Sequence, residues 1–234
     1  MTEDLSRYLS TRPAPSDRPL LGLTVLVVED SRFASEALRL MALRSGARLR
    51  RADCLRAAYR HLQTYRPGVV IVDMGLPDGS GADLIRHIRQ LNPAPTVIGL
   101  SGDPVRAQEA LEAGADAFLA KPLESLALFQ QTVIGALPAD ARPRAPRALP
   151  NDTIAPDPLA LRDDLSEVVR MLAERPDATA VGYVGQFLSG LACSARDEAL
   201  ERAACELTAG LPSPAAVSRA QGLVQARLAA GQVF

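Results

Sequence analysis

Along the first 137 residues, short apolar runs alternate with longer stretches in which apolar positions return every three or four residues. The runs are Val25-Leu26-Val27-Val28, Val69-Val70-Ile71-Val72, Val97-Ile98-Gly99-Leu100 and Ala117-Phe118-Leu119-Ala120. Runs of this length, rich in β-branched residues and closed by polar or glycine positions, predict buried strands. Amphipathic stretches from Ser31 to Ser45, Cys54 to Tyr65, Ala82 to Leu91, Val105 to Ala113 and Leu123 to Leu137 predict helices. Strands alternating with helices predict an α/β doubly wound parallel sheet of five strands and five helices, set within residues 21–137. Ser31 stands ready to cap the first helix, and Gly46, Gly68 and Gly114 punctuate turns.

On either side of this region the pattern changes. Residues 1–20 carry Pro13, Pro15 and Pro19 among polar groups and read as a flexible N-terminal segment with a short helical option around Leu5 to Leu9. Residues 138–156 form a Pro/Arg-rich linker, with Pro138, Pro143, Pro146, Pro150 and Pro156 and with Arg142, Arg144 and Arg147 between them. Proline fixes φ and removes amide donors, so this segment is expected to be extended and semi-rigid. From residue 157 to 234 the pattern is helical throughout. Asp157-Pro158 predicts a cap and first turn before a face of Leu161, Leu165, Val168, Val169 and Leu172. Asp177 caps a second helix with Val181, Val184, Phe187, Leu188 and Leu191, and a third carries Leu200, Ala203 and Leu207 up to Gly210 and Pro212. Ser213-Pro214 starts a fourth, with Val217, Ala220, Val224 and Leu228. Short loops between four amphipathic helices predict an antiparallel bundle.

Composition narrows the function. A net charge of −1 offers no electrostatic footprint for nucleic acid or an acidic membrane. The apolar runs fall far short of the roughly 20 residues that span a bilayer. The opening Met1-Thr2-Glu3-Asp4 does not read as a secretory signal, and the expected setting is cytoplasmic. Cys54, Cys193 and Cys205 lack metal-ligand spacing and read as reduced, with Cys193 and Cys205, twelve apart on predicted helices, as structurally buried residues. His61 and His87 have no partners at ligand spacing and read as surface or half-buried residues.

The chemistry lies where the strands end. Glu29 and Asp30 follow the first apolar run, Asp73 closes the second, Ser101 follows the third and Lys121 follows the fourth. The ligand crevice of an open parallel sheet lies at the carboxyl ends of its strands. An acid pair, an acid, a hydroxyl and a lysine therefore converge on one edge, a set suited to holding a divalent cation and taking up a phosphoryl group.

In these residues, about 23 to 136, the sequence resembles the receiver domains of two-component response regulators. The resemblance rests on Val25 to Asp30, Val69 to Gly81, Leu100-Ser101-Gly102 and Gly114 to Pro122, in that order. It implies Asp73 as phosphoacceptor, with Ser101 and Lys121 as the hydroxyl and cationic phosphate contacts. It also implies a Mg2+ site built from Asp30, Asp73 and the Gly75 carbonyl, with Glu29 reaching the ion through water or acting on the lysine. Ser101 and Phe118 take the switch positions, although Phe118 also fits a plain core role. The alternative for the whole set is a receiver fold that has lost its chemistry.

In the helical region, Gln186-Phe187-Leu188-Ser189-Gly190-Leu191-Ala192, with Leu200 further on, is similar to the histidine phosphotransfer motif. Leu188, Gly190, Ala192 and Leu200 match, but Gln186 stands at the histidine position and Ser189 where lysine is usual. An amide is no phosphoryl nucleophile, so relay chemistry is absent. Residues 157–231 are then a degenerate phosphotransfer domain kept for docking or dimerisation, or an unrelated bundle. The resemblances imply a phosphorelay response regulator that is not an enzyme. Its donor is a histidine kinase or histidine phosphotransfer protein, and its output is protein interaction, homodimerisation included. The alternatives are a phosphate sink and a transcription factor with an atypical helical DNA-binding output. From Asp157 onward, ten acidic residues face seven arginines, which argues against DNA.

Overall fold

The structure, a computed structural model, describes residues 17–143, 150–174, 176–209 and 213–230. The short helical option near Leu5, the linker residues Arg144, Pro146 and Arg147, and the Gly210 and Pro212 stop lie outside the described residues.

Strands β1 (Thr24–Val28), β2 (Arg48–Ala52), β3 (Val69–Asp73), β6 (Thr96–Ser101) and β7 (Ala117–Ala120) form one sheet in the order β2-β1-β3-β6-β7, every neighbouring pair parallel. Between β3 and β6 a hairpin of β4 (Gly75–Leu76) and β5 (Gly79–Ser80) makes the turn into α3. Helices α1 (Arg32–Arg44), α2 (Leu55–Thr64), α3 (Gly81–Arg89), α4 (Val105–Glu112) and α5 (Leu126–Ala136) connect the strands. Because both faces of the sheet are covered, its central strands are apolar throughout rather than alternating. β3 is buried at all five residues. One core layer joins Val25, Val27 and Ile71 to Leu38, Met41 and Phe129; the other joins Leu26, Val28 and Val72 to Leu84, Ile85 and Ala58.

Local chemistry fixes the ends of these elements. The Ser31 hydroxyl accepts from the Ala34 amide at the start of α1, and Gly46 turns out of the following loop at φ +85°. A Cβ on Gly99 would meet Ala110 Cβ at 2.6 Å and Phe118 Cδ2 at 3.1 Å, so the bare backbone there lets α4 and the Phe118 ring close over the sheet.

Two segments flanking the domain depart from the expected pattern. Leu20, at the end of the N-terminal stretch read as flexible, is fully buried, and its amide donates to the Ser45 carbonyl. The linker is not free along its whole length. Ile154 is buried in the core of the sheet domain, its amide donating to the Glu124 carbonyl, and Thr153 bridges Ser125.

Helices α6 (Pro158–Ala173), α7 (Ala178–Ala195), α8 (Glu198–Thr208) and α9 (Pro214–Ala229) form a bundle in which α6 and α8 each pack against both α7 and α9. Its core unites Leu161, Leu165, Val168, Val184, Leu188, Leu191, Leu200, Leu207 and Val224. Asp157, Asp177 and Ser213 cap as their sequence contexts predict, and Asp197 caps α8 by accepting from Ala199 and Leu200. The three cysteines are free; Cys54 and Cys193 are partly buried, whereas Cys205, expected in the interior, is exposed.

Candidate functional site

Parallel pairing brings the carboxyl ends of β1, β3, β6 and β7 to one edge, next to the point where the strand order reverses. There the structure gathers Glu29, Asp30, Asp73, Ser101 and Lys121 around one cavity of about 490 Å³. Lys121 Nζ lies 2.8 Å from Glu29 Oε2 and 3.1 Å from Asp73 Oδ1, with all three side chains buried. Glu29 Oε1 and Asp30 Oδ1 both accept from the Ser31 amide, and Asp73 Oδ2 accepts from the Gly75 amide at 3.2 Å. Ser101 Oγ accepts from the Asp103 amide at the cavity wall. Phe118 does not line the cavity and instead packs into the core layer beside α4.

The electrostatics are those of an acid cluster short of positive charge. Burial pushes the Glu29 carboxyl up to about 7, against the pull of Lys121. Burial, with Asp73 alongside, pushes Asp30 up to about 6. Burial likewise lifts Asp73 to about 6, with Lys121 opposing and Glu29 adding. Burial alone would lower the Lys121 ammonium, but Asp73 and Glu29 outweigh it and hold the lysine above its ordinary value. One lysine thus faces three carboxylates whose oxygens lie within 4.8 Å of one another. This all-oxygen donor set, poor in positive charge, fits a hard divalent cation such as Mg2+.

The cavity has a roof. Helix α7 crosses it with Tyr183, Gln186, Gly190 and Cys193 on one face. The Tyr183 hydroxyl donates to Asp30 Oδ2 at 2.7 Å, and burial and Asp30 together hold its pKa well above the ordinary phenol value. A Cβ on Gly75 would lie 3.5 Å from Gln186 Oε1 and 3.8 Å from Asp73 Oδ2, so these two side chains flank the same backbone. A Cβ on Gly190 would lie 3.5 Å from Lys121 Nζ. Cys193 Sγ donates to the Lys121 carbonyl and sits against Gly102, where a Cβ would meet it at 3.3 Å.

A second clasp holds the roof at the start of α1. Asp164 of α6, 3% exposed, accepts from the Ser31 hydroxyl at 2.8 Å and from the Arg32 and Phe33 amides at 3.1 and 3.0 Å. A carboxylate from the bundle thereby satisfies amides that the first turn of α1 leaves without helical partners, at the positive end of its dipole.

Sequence reasoning missed Tyr183, Asp164 and Cys193. Positions 183, 186, 190 and 193 recur at helical spacing and hold tyrosine, glutamine, glycine and cysteine, away from the face that fills the bundle core except that Tyr183 also packs against its edge. That small and polar stripe is the available signal, but it does not say what the stripe covers.

Comparison with known proteins bears on the sheet domain. Residues 25–132 match the family described as response regulator receiver domain. The chain is 35% identical over 144 residues to the KDP operon transcriptional regulatory protein KdpE of Escherichia coli, covering 61% of this chain and 59% of that protein. It is 35% identical over 105 residues to the virulence transcriptional regulatory protein PhoP of Salmonella typhimurium, covering 43% of this chain and 46% of that protein. The matches thus span about half the length of these curated relatives. Among solved structures, the signal receiver domain of a signal transduction histidine kinase from Syntrophus aciditrophicus is 27% identical, covering 56% of this chain and 99% of that chain with a TM-score of 0.46. No helix among the described residues is long and apolar enough to cross a membrane.

Proposed function

We propose, from the premise that residues 25–132 are a response regulator receiver domain, that this chain accepts a phosphoryl group on Asp73 and uses it to govern how its helical bundle sits on the receiver. The observation that carries this reading is the shared cavity: the acid cluster and Lys121 form its floor and α7 its roof. The donor is a histidine kinase or histidine phosphotransfer protein of a two-component phosphorelay.

Each residue has a definable task. Asp73 is the nucleophile, and its Oδ2 is oriented by the Gly75 amide. Lys121, held protonated by its acidic neighbours, places a positive charge against a phosphoryl oxygen. Ser101 supplies a hydroxyl to another oxygen, and its movement, with that of Phe118, is the switch. Asp30, Asp73 and the Gly75 carbonyl would hold Mg2+, with Glu29 behind them. When bound, the ion neutralises charge between Asp73 and the incoming phosphate.

The bundle is the output element in this reading. It resembles a phosphotransfer domain whose histidine position is Gln186, and it occupies the face that a phosphodonor must reach. Donor access therefore requires α7 to leave, and a phosphoryl group on Asp73 changes what the roof rests on. Incubation with labelled acetyl phosphate and Mg2+ tests the chemistry. Label is expected on the wild-type chain and lost in Asp73→Asn, while Asp30→Ala weakens the Mg2+ requirement together with the yield. Labelling of Asp73→Asn at the wild-type level overturns the assignment.

A further inference from the structure

Gln186 is a roof residue beside Asp73 whose position neither bundle folding nor docking explains. Tyr183 and Cys193 make hydrogen bonds to the receiver, and Phe187 and Leu188 fill the bundle core. Gln186 is exposed, lines the cavity, and brings its Oε1 to the Gly75 backbone that Asp73 also flanks. The two contacts to Gly75 bound the separation of Gln186 Oε1 and Asp73 Oδ2 at roughly 7 Å. Within that upper limit, a water about 3–3.5 Å from the phosphorus of a phosphoryl group on Asp73 can sit at an angle to the Asp73–Gln186 line and still come within about 2.8 Å of the amide.

Resting on the assignment of Asp73 as phosphoacceptor, we propose that the docked bundle is a phosphatase acting in cis, with Gln186 orienting the water that hydrolyses the Asp73 acyl phosphate. An amide suits the task because it accepts from the water through Oε1 and donates to a phosphoryl oxygen through Nε2, with no charge to repel the phosphate. Glutamine orients the attacking water in the same way in GTP-hydrolysing proteins. A histidine at this position would be a nucleophile and would carry the phosphoryl group away, whereas the amide leaves water as the only acceptor. In the step, the water oxygen forms a bond to phosphorus as the bond between phosphorus and the Asp73 carboxylate oxygen breaks. The electron pair of that bond returns to Asp73, and both water protons remain with the product, H2PO4−. Lys121 stays protonated throughout and neutralises the released carboxylate. The docked state thus clears the phosphoryl group, and the undocked state receives it.

The test is the lifetime of the acyl phosphate in the full chain, loaded with acetyl phosphate and Mg2+, freed of donor and followed by intact-mass spectrometry. Gln186→Ala, at an exposed side chain, is expected to lengthen the lifetime at least about tenfold, with Gln186→Asn partly restoring the rate. Asp164→Ala, which loosens the clasp and leaves Gln186 in place on its helix, separates hydrolysis from shielding. Loosening lengthens the lifetime if the roof supplies the water-orienting group and shortens it if the roof only keeps water out. Equal decay of wild type and Gln186→Ala, or a shorter lifetime in Asp164→Ala, overturns the proposal while leaving Asp73 as acceptor. Failure of the wild-type chain to form acyl phosphate, or its retention in Asp73→Asn, would instead remove the acceptor assignment on which the proposal rests.

Discussion

At the scale of single residues, the cavity keeps more carboxyl groups than it can charge at no cost. Glu29, Asp30 and Asp73 are all held above their ordinary values by burial, so the folded chain retains protons that the unfolded chain has released. For raised acid pKa values the associated stability is full below the unfolded values near 4 and is lost as pH rises through about 6 to 7. In chelator, the unfolding midpoint is therefore expected to fall between about pH 5 and about pH 8, with Asp73→Asn flattening the slope. Added Mg2+ should raise the midpoint most at the alkaline end, where the carboxylates are ionised. A midpoint that ignores both pH and Mg2+ would count against a cation site here. These acids were legible in the sequence because each stands directly after, or at the end of, a buried apolar run, where topology dictates its direction. Tyr183 was not legible: its partner Asp30 is 153 positions away, and nothing local to α7 announces a hydrogen bond to a carboxylate.

At the scale of elements, the strands spelled by apolar runs were legible and β2 was not. Its sequence Arg48-Leu49-Arg50-Arg51-Ala52 lies at the sheet edge, where only Ala52 is fully buried, so no core demand shapes its pattern. Helix caps divide similarly. Asp157, Asp177 and Ser213 open visible amphipathic runs, whereas Asp197 follows Arg196 in a left-handed turn too short to show as a loop. Asp197→Ala is expected to cost about 2 kcal/mol of bundle stability by urea titration, at the upper end of the usual capping range because Arg227 also holds this carboxylate. Asp164 is a cap of a different kind, since the helix it completes belongs to the other domain. Its loss should weaken docking by about 1.5–3 kcal/mol per hydrogen bond at most. Hydrogen exchange at the Arg32 and Phe33 amides reads this directly: faster exchange in Asp164→Ala with unchanged protection in β3 is the expected result, and unchanged exchange at α1 would mean the clasp is dispensable.

At the scale of the whole molecule, the sheet fold and the helical C-terminal region were both legible and their arrangement was not. Each has its own apolar core with its own period, but the contacts between them, Phe33 of α1 against the bundle core beside polar clasps and small residues, follow no period of either core. Gly102, Gly190 and the Asp164 clasp acquire meaning only once the two halves are placed together. Beryllofluoride with Mg2+, a phosphoryl mimic, is expected to change the radius of gyration in small-angle scattering if Asp73 governs docking. An unchanged profile with the mimic bound would make the docked form the only one the switch uses.

The anchoring of Ile154 sets how large that change can be. Because this residue is buried in the receiver and α6 begins at Pro158, only Ala155, Pro156 and Asp157 separate the two domains as slack. Even fully extended, three residues and their flanking bonds reach about 14 Å. The bundle is thus leashed, and its opening is a tilt on a short hinge rather than a departure. A donor acting on Asp73 as proposed would enter through a wedge whose far side stays closed. After such a donor withdrew, the roof would find its seat again at the high effective concentration of a tethered partner, so on the proposed reading the interval in which Asp73 is open would follow the donor's own residence rather than diffusion of the bundle.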